Sequence, residues 1–198
     1  MNEAITFAPA PPATRRRNML VGAGFATGAS VTYFGALFGI YFSERADALN
    51  SGGSWIPSTA DLQLTAPTMM FWTLLLSVIT MQWAVHASAR DDRRHLLLAV
   101  IVTGIFGIAT INQMAFIFTQ MGLEADGGSL AAPLIYAICG SFIVMVVAAL
   151  IFLMLVTFRS LDGQSLRRVA DGMSAAAMYW YAMVFVYVII WVGIFVTR

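Results

Sequence analysis

Residues 130–158 read LAAPLIYAICGSFIVMVVAALIFLMLVTF, a run of 29 consecutive residues without a charged side chain. A helix needs about 20 apolar residues to cross the hydrocarbon core of a bilayer, whereas a membrane-spanning strand needs only about 10. Backbone polar groups in lipid must also be hydrogen-bonded within the structure that crosses it. The run therefore predicts a transmembrane helix.

Four further apolar runs flank this segment, at approximately 19–43, 64–89, 96–121 and 173–197. Composition agrees with them, since 60% of the residues are apolar and 11% are charged, against about 25% charged in a soluble domain. The sequence predicts an all-α membrane protein, a bundle of five transmembrane helices over residues 18–198. Residues 1–17, which contain three prolines, are expected to form a flexible cytoplasmic tail.

The arginines predict the orientation of the chain in the membrane. Nine of the eleven basic residues lie in the tail, the second connection and the fourth connection, and the other face has only Arg45 and Arg198. The nine are Arg15, Arg16, Arg17, Arg90, Arg93, Arg94, Arg159, Arg167 and Arg168. Because basic residues accumulate on the cytoplasmic side, the N-terminus is expected in the cytoplasm and the C-terminus outside.

The predicted spans contain none of the ten carboxylates. Ionisable residues within a membrane usually mark ion pathways and proton relays, so this chain by itself is not expected to be a proton pump. His86 and His95 fall at the cytoplasmic ends of spans, where we expect an interfacial residue and a solvated residue packing against Asp91. Haem or copper in a membrane needs several facing ligands, so no metal or cofactor site is predicted. Cys139 is expected in the apolar core.

Catalytic and nucleic-acid motifs are also lacking in the sequence. There is no nucleophile elbow, zinc-protease helix or phosphate loop, and no catalytic residue is predicted. A net charge of +1, with no basic stripe beyond Arg15, Arg16 and Arg17, gives no reason to expect a nucleic-acid partner.

The first predicted helix carries two small-residue patterns, Gly24-x-x-x-Gly28 and Gly35-x-x-x-Gly39. Glycines at this spacing let helix backbones approach closely in lipid. The contact that they mark could lie within this chain or with a partner, and the sequence leaves both open.

Polar groups gather on the third predicted helix, around Asn112 and Gln113. They could hold helices of the bundle together by hydrogen bonds, or they could form a polar lining for lipid head groups or a partner. The tryptophans are expected to form an interfacial belt near the ends of the spans. They are Trp55, Trp72, Trp83, Trp180 and Trp191.

Several strings of this chain, in their order and spacing, are similar to those of one protein family. Residues 37–46 (LFGIYFSERA) are similar to the end of that family's first helix, and residues 53–57 (GSWIP) to the loop that follows. Met178-Tyr179-Trp180 is similar to the start of the last helix, and the region around Gln113 to the family's Gln-Ala-x-Glu helix. Together these strings resemble subunit III of the haem–copper oxidases, in its short five-helix bacterial form, and the resemblance covers residues 18–198.

The chain departs from this family at its ionisable motif positions. Ser30 stands where the family has a buried glutamate, and Phe116 falls near the glutamate of the Gln-Ala-x-Glu motif. The segment 140–145 (GSFIVM) lacks two histidines, and Tyr181 and Val184 replace the histidine and aspartate of the last helix. The resemblance therefore implies the fold, but not the roles in proton delivery that rest on those groups.

By resemblance, the chain would be a non-catalytic, stabilising subunit of a bacterial cytochrome c oxidase in aerobic electron transport, located in the plasma membrane. Haem and copper are expected in its partners, the catalytic subunit and the copper-bearing subunit, with membrane lipid as a further partner. Candidate helix-packing or subunit-interface residues are Gly28, Ser30, Gly35, Gly39, Asn112, Gln113 and Trp180. The alternative is a scaffold subunit of another membrane assembly, such as a nitric oxide reductase-type companion, or a small transporter.

Overall fold

The computed structural model describes residues 18–56, 62–123, 130–161 and 166–197. Over these ranges the chain forms five long helices and no strand. They are α1 (Asn18–Asn50), α2 (Thr65–Ala89), α3 (Arg93–Gln120), α4 (Ala131–Leu161) and α5 (Leu166–Ile190), which runs into a π-helical segment at Trp191–Val196. All five are long and apolar enough to cross a membrane, so the predicted five-helix architecture is confirmed.

Some expectations concern residues outside these ranges. The tail at 1–17 and the terminal Arg198 lie beyond the described residues, and so do parts of the connections, at 57–61, 124–129 and 162–165.

The helices extend past the apolar runs that predicted them. The first span was predicted to end at Ser43, but α1 continues to Asn50, and the last was predicted to begin at 173, but α5 begins at Leu166. Apolar character stops where the chain leaves the hydrocarbon, whereas backbone hydrogen bonding continues through polar residues that favour helix. Hydropathy therefore predicted the embedded part of each helix rather than its full length.

Glycine sets the end of α1. Gly52 has a left-handed φ of +77°. Its amide donates to the Leu49 carbonyl, and the Gly53 amide donates to the Ala48 carbonyl, both at 3.1 Å. This pair of bonds is the Schellman arrangement, which satisfies carbonyls that the helix end would leave unpaired.

A tight turn joins α2 to α3. Asp91 takes a left-handed φ of 59° there, and Asp92 caps α3 by accepting the His95 backbone amide at Oδ1, at 3.1 Å. Asp92 Oδ2 lies 2.5 Å from His95 Nδ1. The bond from the His95 amide, followed by the contact with its ring, lowers the pKa of Asp92. The expected pairing of His95 with Asp91 was therefore wrong, because the N-cap side chain is the one that folds back onto the third helical residue.

The helices α2, α3, α4 and α5 pack as a four-helix bundle, in which each contacts two neighbours in the order α2, α3, α4, α5 and back to α2. Helix α1 lies outside this bundle, against α4 and α5. Its buried side chains are only Ala23, Phe34, Phe38 and Tyr41. Most of the surface of α1 is therefore left uncovered by this chain.

Close packing at the end of the bundle holds α1 to the π-helical segment. A Cβ added at Gly193 would lie 3.1 Å from Phe42 Cζ and 3.4 Å from Phe38 Cε1. The Arg45 guanidinium also donates to Thr197, through Nη1 to Oγ1 at 3.0 Å and through Nη2 to the backbone carbonyl. These contacts fix the far end of α1 beside the end of α5.

Trp180 lies at the centre of the bundle rather than in an interfacial belt. It is near the middle of the span Val169–Val196 and is only 1% exposed. Its indole Nε1 donates to Ser77 Oγ at 2.9 Å. The belt assignment was wrong for this residue, because a tryptophan can lie deep in a bundle when a neighbouring helix supplies an acceptor for its N–H group.

Candidate functional site

The glycines of α1 that were candidates for an interface face away from the rest of the chain. A Cβ added at Gly28, Gly35 or Gly39 would meet no atom within 4 Å. At Gly24 the nearest atom is Met178 Cε, at 3.8 Å. Of the four glycines, only Gly24 lies beside another helix of this chain. The open surface at the other three is wide enough for a second helix to approach the α1 backbone.

Ser30 belongs to a cluster of four hydroxyl groups where α1, α4 and α5 meet. Its Oγ lies 3.4 Å from the Tyr179 hydroxyl, and the Tyr33 hydroxyl lies 2.8 Å from Ser141 Oγ. The first distance is long for a hydrogen bond between hydroxyls and the second is ideal. The four side chains line a groove of about 470 Å³, together with Phe34 and apolar residues of α4. We call it the hydroxyl groove.

The chemistry that the hydroxyl groove offers is neutral hydrogen bonding. Its lining residues include no carboxylate, histidine, lysine or arginine. Ser30 brings a neutral hydroxyl to the contact between α1 and α5, 3.4 Å from the Tyr179 hydroxyl. A hydrogen bond between helices, such as the one between Tyr33 and Ser141, contributes about 0.6 to 1.7 kcal/mol in lipid.

A second groove lies between α2 and α3, around Asn112 and Gln113. It has a volume of about 690 Å³, and we call it the amide groove. Its lining residues are Gln63, Thr65, Ala66, Met69, Asn112, Gln113, Ala115, Phe116 and Thr119. They lie toward one end of the bundle, just before and at the start of α2 and in the last third of α3.

The two amides of this groove have different surroundings. Gln113 Nε2 lies 3.3 Å from Thr73 Oγ1, which in turn donates to the Met69 carbonyl at 3.0 Å. Gln113 Oε1 is buried and has no hydrogen-bond partner. Asn112 is exposed, and its amide makes no hydrogen bond within the part of the chain that the structure describes. Gln113 thus joins α3 to α2 through its Nε2, whereas Asn112 is exposed and makes no hydrogen bond to the described residues.

Trp180 joins neither groove. It packs inside the bundle, where a Cβ added at Gly107 would lie 2.9 Å from Trp180 Cη2 and 2.7 Å from Leu150 Cδ2. Among the candidate residues it is the one placed in the core. The candidates thus separate into an outer face of α1, a hydroxyl groove, an amide groove and the core.

Four partners in these sites were not predicted from the sequence: Tyr33, Ser141 and Tyr179 in the hydroxyl groove and Thr73 beside Gln113. Ser30 and Tyr33 are one helical turn apart, and that spacing does predict that they share a face. Helical spacing does not predict that Ser141 and Tyr179 contact this face, because they belong to other helices more than 100 residues away in the sequence.

Metal-binding residues do not cluster in the described ranges. No three histidine, cysteine, aspartate or glutamate side chains come together there. Cys139 is fully buried and unpaired.

Comparison with known proteins gives the family. The sequence model of cytochrome c oxidase subunit III matches residues 13–197. The chain is 26% identical over 166 residues to cytochrome c oxidase subunit 3 of Bos taurus, and 27% identical over 166 residues to that of Tragelaphus imberbis. The match covers 82% of this chain but 63% of each relative, so the chain spans less than two thirds of their length. Five membrane-crossing helices and a family match along nearly the whole sequence lead to one conclusion: the chain is a multi-pass membrane protein of the cytochrome c oxidase subunit III family.

Proposed function

We propose that this chain is a non-catalytic, stabilising component of a bacterial haem–copper oxidase complex. The observation that carries the proposal is the family match over residues 13–197. The neutral hydroxyl groove supports the stabilising role, because hydroxyl pairs such as Tyr33 with Ser141 hold helices together without carrying charge. Haem and copper belong, in this proposal, to the catalytic subunit and the copper-bearing subunit.

The proposed location is the plasma membrane, with the N-terminus in the cytoplasm. The distribution of arginines supports this orientation, since the α2–α3 turn holds Arg90, Arg93 and Arg94. A single reporter cysteine at Asp91 should be protected from an impermeant thiol reagent in intact cells, whereas one at Gly53 should be labelled. Labelling at position 91 with protection at position 53 would show that the chain has the opposite orientation.

The experiment that tests the function is a pull-down of the tagged full chain from native membranes in a mild detergent. The eluate is examined by a reduced-minus-oxidised absorption spectrum and by peptide identification. We expect haem bands together with peptides of a catalytic haem–copper subunit and of its copper-bearing partner.

Three outcomes would overturn the proposal. An eluate without haem, carrying other membrane proteins, would mean that the chain has the fold of its family but belongs to a different assembly. A haem spectrum from the purified chain alone would contradict the proposed absence of a redox centre. Peptides of a nitric oxide reductase would place the chain with that assembly instead.

A further inference from the structure

We propose that the amide groove binds one transmembrane helix of a partner subunit. This helix presents an amide or hydroxyl side chain to Asn112. This inference rests on the proposed function, since it assumes that the chain works inside a membrane complex. It goes further by choosing the contact face and by stating the chemistry that the partner must bring.

The amide of Asn112 is unpaired. The structure shows no hydrogen-bond partner for it in the described residues, although it is exposed on the side of a membrane-spanning helix. An unsatisfied amide in hydrocarbon costs free energy, because nothing there can replace the water it has lost. Gln113 Oε1 nearby also lacks a donor among the described residues, but it is buried and therefore out of reach of a group outside this chain. The groove thus holds one exposed amide, that of Asn112, whose hydrogen-bonding capacity the described residues do not fill.

The depth of Asn112 in the membrane also favours a partner helix. Helix α3 has 28 residues. If it is centred in the bilayer, Asn112 lies about 8 Å from the midplane, well inside a hydrocarbon half-thickness of about 15 Å. Lipid at this depth consists of acyl chains, which have neither donors nor acceptors. A helix from another subunit is the occupant that can bring a polar side chain to this level.

The walls of the groove suit a helix. None of the lining residues is charged, so the groove has no cation to pair with a phosphate group. Ala66 and Ala115 leave room for a close backbone approach, and Met69 is 63% exposed with a flexible side chain that can adapt to a neighbour.

The hydroxyl groove provides a contrast on the same protein. Its polar groups pair with one another, as Tyr33 does with Ser141 at 2.8 Å. A partner on that side of the molecule would not need to bring a polar side chain, whereas a partner in the amide groove would.

The test begins with a photoreactive phenylalanine analogue in the full chain, expressed in its native membrane. It replaces Phe116 in the amide groove or, as a control, Phe185 on α5, since these two side chains are similarly exposed, at 54% and 57%. We expect the probe at 116 to attach to a transmembrane peptide of the catalytic or another oxidase subunit, within one turn of an Asn, Gln, Ser or Thr. The probe at 185 should not attach to that peptide.

A second measurement compares Asn112→Leu with Asn112→Gln. The apparent dissociation constant of each labelled chain for the remaining complex is measured by dilution in mild detergent. Loss of one amide pair should weaken binding about fivefold for Asn112→Leu, and Asn112→Gln, which keeps the amide, should stay close to wild type. The thermal midpoint of each isolated chain checks that its fold is intact.

Several results would overturn the inference. These are unchanged binding of a folded Asn112→Leu chain, attachment of the probe at 116 to lipid alone, and attachment to a second copy of this chain. If the wild-type chain recovers the oxidase while Asn112→Leu binds equally well, the inference fails and the proposed function stands. If the wild-type chain recovers no oxidase at all, the proposed function fails.

Discussion

The indole Nε1 of Trp180 on α5 donates a hydrogen bond to Ser77 Oγ on α2, at 2.9 Å, and both residues are almost completely buried. Ser77 donates in turn to the Leu74 carbonyl of its own helix, at 2.6 Å. The hydroxyl is therefore both donor and acceptor, and it joins two helices of the bundle at mid-membrane. Gly107 on α3 leaves the space that the indole ring fills.

Replacing Ser77 with alanine should destabilise the bundle by about 1 kcal/mol, because the buried indole N–H of Trp180 would lose its only acceptor. The free energy of unfolding can be measured in mixed micelles by titration with a denaturing detergent. Ser88→Ala is the matched control, since Ser88 is also buried but bonds only to the Val85 carbonyl of its own helix. Equal effects of the two substitutions would contradict the importance of the bond between helices.

Gly107→Ala should destabilise the fold by about 1 to 3 kcal/mol, as expected for overpacking of a core. The added methyl group would lie 2.9 Å from the rigid ring of Trp180 and 2.7 Å from Leu150 Cδ2. Gly104→Ala is the control one turn away, where an added Cβ meets no atom within 4 Å. The measurement is the thermal midpoint of the purified chain, and equal midpoints for the two variants would disprove this packing.

Gly35→Leu should leave the thermal midpoint of the isolated chain close to that of the wild type, because the added side chain points into open space. If the outer face of α1 contacts a partner, the same substitution should lower the recovery of catalytic subunit in the pull-down. Leucine would prevent the close backbone approach that glycine allows. Full recovery of the catalytic subunit with Gly35→Leu would show that this face of α1 does not contact that subunit.

The first turn of α3 should loosen in acid. Asp92 has a pKa below the ordinary aspartate value, so its cap is present above that value and is lost as the pH falls through the lower pKa of the folded state. We therefore expect the protection of backbone amides at the start of α3, taken relative to the intrinsic exchange rate at the same pH, to fall only below about pH 4. Hydrogen exchange of a peptide that covers residues 90–96 measures this change.

Asp92→Asn provides the control for this pH dependence. Asparagine is also a good N-cap, so the bond to the His95 amide should persist while the titrating group is removed. The amide protection in this variant, again relative to the intrinsic rate at each pH, should stay constant over the same range. If wild type and Asp92→Asn respond alike, another group is responsible.

Much of the fold was predictable because lipid restricts what the chain can do. A run such as residues 130–158 can satisfy its backbone in hydrocarbon only as a helix, and α4 forms there. The ends of helices were harder, since α1 passes Ser43 and stops only at the Schellman turn of Gly52. Residues outside the hydrocarbon are free of the constraint that made the spans predictable.

The candidate sites were predictable only in part. Asn112 and Gln113 were identified from their polarity in an apolar helix, but their different roles depend on Thr73 of α2, which meets Gln113 and leaves Asn112 free. The assignment of Trp180 to a belt failed for a similar reason. Its acceptor, Ser77, is 103 residues away in the sequence.

The sequence by itself determined that the chain crosses a membrane five times and that its five apolar runs lack carboxylates, since both follow from the order of apolar and charged residues. Only the tertiary structure decided that Gly107 is packed while Gly104 is open, and that the glycines of α1 at 28, 35 and 39 face outward. The helical period fixes which residues of one helix share a face. What that face meets depends on helices far away in the sequence, and therefore on how the whole bundle packs.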